Sequence, residues 1–187
     1  PLIDTFRGVY HYAARDVKLH KDFWSWSLPE RRAWFIKETM VNYVPQEVLP
    51  GSLIAGARFN IVASMCFSKS ERKAYDRMVL GKNGARARMK WFHDHGYGNT
   101  GATCGHLIPG YERVLKIGWQ GIHAELQEHY NSLGKTEQKG PPGAQSRAML
   151  TAATMPRDLA SRYAQLCHQL ADREHDQNRK DELHHMA

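Results

Sequence analysis

Gly98-Asn99-Thr100-Gly101-Ala102-Thr103-Cys104-Gly105-His106-Leu107-Ile108-Pro109-Gly110-Tyr111, running straight on into Glu112-Arg113-Val114-Leu115-Lys116-Ile117-Gly118-Trp119, decides how this chain is read. Glycines at 98, 101, 105 and 110 stand with a cysteine and a histidine at the mouth of a strong helical pattern. Glycine admits positive φ and the close approach of a ligand or another backbone, so the layout is that of a pocket wall. Beyond Tyr111, the positions Val114, Leu115, Gly118, Ile122 and Leu126 recur at helical spacing, with Glu125, Gln127 and Glu128 opposite. That periodicity predicts a helix from Tyr111 to Tyr130. Gly118 and Gly121 fall inside it at a cost of about 1 kcal/mol each relative to alanine, which close packing against a neighbour would explain.

Outward from this stretch the chain reads mostly as helix. Asp16 to Trp26 is predicted helical, and Ser27, followed by Pro29 and Glu30, caps a second helix from Leu28 to about Tyr43, which Pro45 stops. Val48 to Gly56 mixes breakers with apolar residues and predicts a turn into a short buried strand near Ser52 to Ala55. Ser68 or Ser70 caps a helix to about Leu80, and another runs from about Gly84 to His93. Residues 133–143, polar and rich in Gly and Pro, read as a flexible linker. Gln145 to Ala153 is helical. Pro156 then opens a helix striped by Leu159, Tyr163, Leu166 and Leu170, and Asn178 caps a last one from Arg179 to Met186. The stripe is read as core packing, and no internal repeat, heptad array or low-complexity block is visible.

Composition narrows the classes of function. The 187 residues suit one domain or a piece of a larger one, and 42% hydrophobic residues are enough for a core. No apolar run approaches the roughly 18 residues of a membrane span, and the first residues do not have the pattern of a signal peptide. Cys66, Cys104 and Cys167 are odd in number and widely spaced, which fits a reducing cytoplasm rather than a disulfide framework. The net charge of +7 raises nucleic-acid binding, but Lys82, Arg86, Arg88 and Lys90, the nearest approach to a basic patch, come without a recognition-helix or zinc-finger pattern. The chain begins without Met and ends within a helical pattern, and it is read as a segment.

Chemistry candidates are few. His93, Asp94, His95, Cys104 and His106 are residue types that bind zinc, yet two histidines two apart at a helix end diverge, and no H-E-x-x-H or C-x-x-C spacing occurs. Cys104 beside His106 has the composition of an imidazole-activated thiol without a protease-like signature. Gly81-Lys82-Asn83-Gly84 lacks the Walker spacing, so a phosphate cradle is not supported.

Gly105-His106-Leu107-Ile108-Pro109-Gly110-Tyr111, continuing through Val114-Leu115 to Gly118-Trp119-Gln120-Gly121-Ile122, resembles a segment of glycyl radical enzymes of the pyruvate formate-lyase-like superfamily. The family pattern is close to Gly-His-x-x-Pro-Asp-Tyr-x-x-Val-Leu followed by a Gly-x-x-Gly-Ile helix, in the N-terminal half of those enzymes. Leu49-Pro50-Gly51-Ser52-Leu53-Ile54-Ala55-Gly56 is similar to the family's upstream Gly-Glu-Leu-Ile-Val-Gly element, and Arg147 to Ala187 resembles the segment before its central barrel strands. The chain departs from the pattern at Gly110, where relatives carry Asp, and at Ala57 before Arg58, where Asn or Lys is usual. Polar roles at those positions do not carry over.

The resemblance implies a mostly α fold with a few short strands, forming a partial segment of a ten-stranded α/β barrel, with residues 1–187 as one partial domain. It implies anaerobic radical chemistry of lyase, decarboxylase or dehydratase type in the cytoplasm. In that chemistry a glycyl radical, installed by an activase carrying S-adenosylmethionine and an iron-sulfur cluster, passes to a cysteine that abstracts hydrogen from substrate. This sequence has neither an Arg-Val-x-Gly-Tyr radical loop nor a Gly-Cys-x-Glu finger loop. The segment is therefore expected to supply scaffold and pocket wall, to bind no cofactor or metal itself, and to be inactive alone. His106 occupies the motif position that hydrogen-bonds substrate in dehydratase members, a task that suits a group able to donate, accept or shuttle a proton. Cys104 is expected on the same wall, and Arg58 is a candidate partner for a substrate carboxylate. Tryptophans and tyrosines from Tyr10 to Tyr43 are expected to cover the barrel's outside. The implied partners are the rest of the barrel, the activating enzyme, a small organic substrate and a second subunit, with no nucleic acid or membrane. Two alternatives stay open: a stand-alone basic helical interaction module, and a small metal- or thiol-dependent enzyme.

Overall fold

Some helix starts in this chain are written into short polar motifs, and a computed structural model, which describes residues 17–43, 46–53, 66–97 and 110–187, shows them at work. The Ser27 N–H and hydroxyl both donate to the Glu30 carboxylate, at 3.2 and 2.6 Å, at the head of α1 (Leu28–Glu38). The helix widens into a π-turn over Thr39–Tyr43. Ser68 and Glu71 form a full capping box on α2 (Lys69–Tyr75), which continues as a π-turn through Asp76–Leu80. The next helices are α3 (Ala85–Asp94), α4 (Tyr111–Ser132), α5 (Lys135–Lys139), α6 (Pro141–Arg173) and α7 (Gln177–Met186). The fold is mostly helical, and no strand forms among the described residues.

Several expectations need correction. Of the helix predicted from Asp16 to Trp26, the described part is irregular save for a single 3-10 turn at Phe23–Ser25, because Phe23 is drawn wholly into the core. The strand predicted near Ser52 to Ala55 is irregular at Ser52 and Leu53, and its remainder lies outside the described residues. The last helix is capped by Asp176, whose carboxylate accepts from the Arg179 N–H at 2.8 Å, with Asn178 already inside it.

Residues 133–143 fold as helix ends with α5 between them, where a flexible linker was expected. The Gly134 N–H donates to Glu137, the Gln138 side chain donates to the carbonyls of Tyr130 and Leu133 at the end of α4, and Pro141 and Pro142 start α6. A Cβ on Gly143 would fall 2.0 Å from the Gln138 carbonyl oxygen, so glycine there lets α6 leave the corner. Gly and Pro mark helix boundaries here.

Pro156 does not open a helix; it lies inside the 33-residue α6. A proline in a helix interior forfeits one backbone bond, and packing from both sides keeps the helix continuous. α1 and α4 both pack along α6, and α5 and α7 flank its ends, which makes α6 the spine of the body. Its buried positions are small over the first half, Gly143, Ala144, Ser146, Ala148 and Ala153, and then include Tyr163, Cys167 and Ala171. Leu159, Leu166 and Leu170 of the predicted stripe are half-buried. A second core gathers Val17, Phe23, Phe35 and Cys66, with Trp34 packed edge-on to both Phe23 and Trp26.

Gly118 takes φ 64° and ψ 175°, a conformation essentially confined to glycine, and bends α4 there. No atom lies within 4 Å of where its Cβ would stand, so backbone conformation, rather than the expected close packing, selects glycine. The bend lays Ile117 2.8 Å from the place of a Cβ on Gly121, and Arg113 pairs with Glu125 across it.

Candidate functional site

The bend at Gly118 turns the second half of α4 toward the middle of α6. Between them lies a cavity of about 200 Å³ lined by Trp119, Gln120, His123, Ala124, Ala153, Thr154 and Arg157. Trp119 and His123 are four residues apart and share one helix face. The Trp119 indole also walls an apolar groove of about 540 Å³, whose lining includes Met40, Ile122, Leu126, Met149, Met155 and Leu159. An apolar groove beside convergent amide, imidazole, hydroxyl and guanidinium groups has the make-up of a small-ligand site.

Electrostatics order one edge of the cavity. Lys37 of α1 donates to the Thr154 hydroxyl and pairs with Asp158, both at 2.7 Å, while the Thr154 hydroxyl donates to the Thr151 carbonyl. The Lys37 hydrogen bond, reinforced by Arg157, holds the Asp158 carboxyl below the usual carboxylate range. Thr154 and Asp158 are thus committed, which leaves Gln120 and His123 as the polar groups best able to meet a ligand. No acid–base pair or nucleophile is assembled on this wall among the described residues.

Elsewhere polar side chains fasten segments together. Arg31, 4% exposed, donates to the carbonyls of Cys66 and Trp26 at 3.0 and 2.8 Å and grips both oxygens of Glu71 at 2.6 Å. Arg147 of α6 joins Glu30 at 2.7 Å and the Gln138 carbonyl at 2.7 Å. Arg179 of α7 donates to the carbonyls of Ser52 and Leu49 at 2.9 and 3.3 Å, tying down the start of the upstream motif.

His106, Cys104 and Arg58, the expected pocket-wall residues, all lie outside the described residues. His93 and His95 close α3: His95 stacks on Trp91 at 4.1 Å, and Asp94 is held by Lys90 at 2.6 Å. Among the described residues, no three His, Cys, Asp or Glu side chains are grouped to hold a metal. Cys66 and Cys167 are buried, and burial pushes the Cys66 thiol up to about 11 and raises that of Cys167, so neither suits a nucleophile. The sequence reading missed Gln120, His123 and Arg157. The available signal was the glycine inside a helical pattern, read as a packing site rather than as a bend that aims the following turn.

Comparison with known proteins accounts for this architecture. The family model "Pyruvate formate lyase-like" matches residues 74–187, more than half of the chain, including all of α3 to α7. No match to a curated protein was found. Among solved structures, the glycerol-bound form of the B12-independent glycerol dehydratase from Clostridium butyricum is similar, with a TM-score of 0.55 and 18% identity over 98% of this chain. The chain spans 27% of that dehydratase's length, and at this identity the likeness is one of fold. Leu49–Gly56 precedes the matched residues, so its likeness to the family rests on the sequence pattern. This chain belongs to the pyruvate formate lyase-like family of the glycyl radical enzyme superfamily.

Proposed function

We propose that this chain supplies scaffold and part of the substrate-pocket wall of a glycyl radical enzyme of lyase, decarboxylase or dehydratase type, and that it is inactive alone. The observation that carries the reading is the family match over residues 74–187, which contains both the Gly105-His106 motif and the bent helix after it. In this reading residues 1–187 form one partial domain, and the rest of the barrel, the radical glycine and the reactive cysteine belong to further polypeptide. When installed by a cytoplasmic activating enzyme, the radical supplies hydrogen abstraction; this chain's residues bind and orient the substrate. His106 hydrogen-bonds a substrate hydroxyl or carbonyl, Cys104 lines the same wall, and Arg58 pairs with a carboxylate where the substrate has one. The assembled enzyme is a homodimer. A small polyol such as glycerol, the ligand of the similar dehydratase, is the first substrate to test.

The test is to extend the reading frame on both sides of the 187 residues and to express the short and extended forms. After anaerobic activation, the extended form should show the EPR doublet of a glycyl radical, and the 187-residue chain none. Stop codons that close the frame at Ala187, or a doublet from the short chain, would overturn the proposal. In the extended enzyme, His106→Gln should lower kcat by about 100-fold or more if the imidazole moves a proton; unchanged kinetics would remove His106 from the site.

A further inference from the structure

The arm formed by α2, its π-turn and α3 carries surface that the body of the fold does not use. Every residue from Ala85 to Tyr97 is exposed, and among the helix-to-helix contacts of the described residues α3 packs on the Asp76–Leu80 turn. A helix exposed on all sides is ordinarily polar all round. This one shows Trp91, Phe92 and Tyr97 at 52, 50 and 70% exposure, with Met89 beside them. The rings stack on one another, Trp91 to Tyr97 at 6.0 Å and Phe92 edge-on to Trp91 at 5.3 Å, which gives a preorganised apolar seat. Around that seat the charge is one-sided. Residues 66–97 hold eight Lys or Arg against three Asp or Glu, which is five of the chain's seven net positive charges. Lys90 is paired with Asp94, whereas Arg86 and Arg88 have no carboxylate partner among the described residues.

We propose that this arm is a docking surface for a separate, acidic protein whose Asp and Glu side chains meet Arg86, Arg88 and their neighbours while an apolar or aromatic residue seats on Trp91 and Tyr97. Charge complementarity selects the partner. A second copy of the arm would bring like charges together. Among the described residues no carboxylate meets Arg86 or Arg88, and reversible protein contacts use such charge for steering and register. A lipid surface needs one broad apolar helix face, and in helical projection Arg88 falls between Trp91 and Phe92. Single-stranded nucleic acid would stack on the same exposed rings, and the oligothymidylate arm of the experiment distinguishes it.

The experiment measures binding of the extended polypeptide, in which the rest of the fold is present, to the random copolymer poly(Glu,Tyr) at about 0.15 M salt, where exposed charges are screened beyond about 8 Å. Poly-Glu, oligothymidylate and phosphatidylserine vesicles run in parallel. We expect poly(Glu,Tyr) to bind most tightly, R86E/R88E to weaken it about 10-fold or more, and Trp91→Ala to abolish its advantage over poly-Glu. Circular dichroism confirms that the variants are folded. Tighter binding to the oligonucleotide or the vesicles, no binding to poly(Glu,Tyr), or full binding by R86E/R88E would each overturn the proposal.

Discussion

The body built on α6 and the arm built from α2 and α3 differ in where their large side chains go. In the body Phe23, Phe35 and Tyr163 are buried and small residues let the helices close; in the arm Met78, Trp91, Phe92 and Tyr97 all face outward. The two are joined by Arg31, which reaches from α1 to Glu71 at the head of α2. Hydrophobic content is therefore a poor guide to where the core lies in this chain. What decides burial is whether a neighbouring element offers a small or grooved surface, as α6 does with its alanines. The comparison breaks if an arm residue proves as costly to truncate as a body residue.

The largest effect is expected from Phe35→Ala. Phe35 is 1% exposed, and its removal should cost about 3–5 kcal/mol in urea denaturation. A loss below about 1 kcal/mol would mean that the Phe23–Phe35 cluster is not a closed core.

Arg31→Met comes next. It leaves the carbonyls of Cys66 and Trp26 without their donor and the Glu71 carboxylate without its counter-ion, for about 2–4 kcal/mol. Because Arg31 is the joint, amide exchange in residues 69–80 should quicken more than exchange in α6. Equal protection in both would show that the arm is held by something other than this arginine.

At the bend the effect is smaller. Gly118→Ala places a Cβ on a backbone at φ 64° and ψ 175°, for about 2 kcal/mol, and the cost is one of conformation because the space around it is open. A stabilised variant would mean that α4 runs straight in solution and that Trp119 and His123 do not turn toward α6.

Legibility in the sequence followed the range of the interaction. Ser27–Glu30 and Ser68–Glu71 are local signals three residues apart, and the starts of α1 and α2 could be read from them. The run from Tyr111 to Tyr130 was equally plain from its period. Misreadings arose where tertiary contacts overrule local preference. Pro156 looks like a helix start until α1 and α4 are known to clamp both sides of α6, and residues 133–143 look loose until Gln138 is seen to satisfy the end of α4. The family could be recognised because Gly105-His106 and Gly118–Ile122 form an ordered pattern. Gln120 and Arg157 were not legible as one site, since they come from two helices brought together by a bend that no spacing reveals.

Acid should loosen the body in a defined way. The hydrogen bonds of Arg147 and Ser27 outweigh burial and hold Glu30 below its ordinary value; those of Ser68, and then of Arg31, do the same for Glu71. A carboxyl whose pKa is depressed by folding stabilises above its unfolded value, near 4.5 for glutamate, and loses that contribution as pH falls toward the folded value. Stability should therefore be flat from neutral pH to about 5 and drop below it. Glu30→Gln should lower the plateau by about 1 kcal/mol and shallow the acid limb. An unchanged limb would place the acid sensitivity in other carboxylates.

The smallest expected effect lies in the arm and bears most directly on the contrast. Trp91→Ala with Phe92→Ala removes two large aromatic side chains, each about half exposed, from a helix with no buried residue. Truncating aromatics of that size in a core costs several kcal/mol, whereas here the loss should stay within about 0.5 kcal/mol. The contacts given up are between exposed rings, the Trp91–Phe92 pair and those of the two with His95 and Tyr97, and the helix gains from alanine's higher propensity. A measured loss above about 2 kcal/mol would show that the rings are covered in the folded chain, and the arm would then belong to the core rather than to a docking surface.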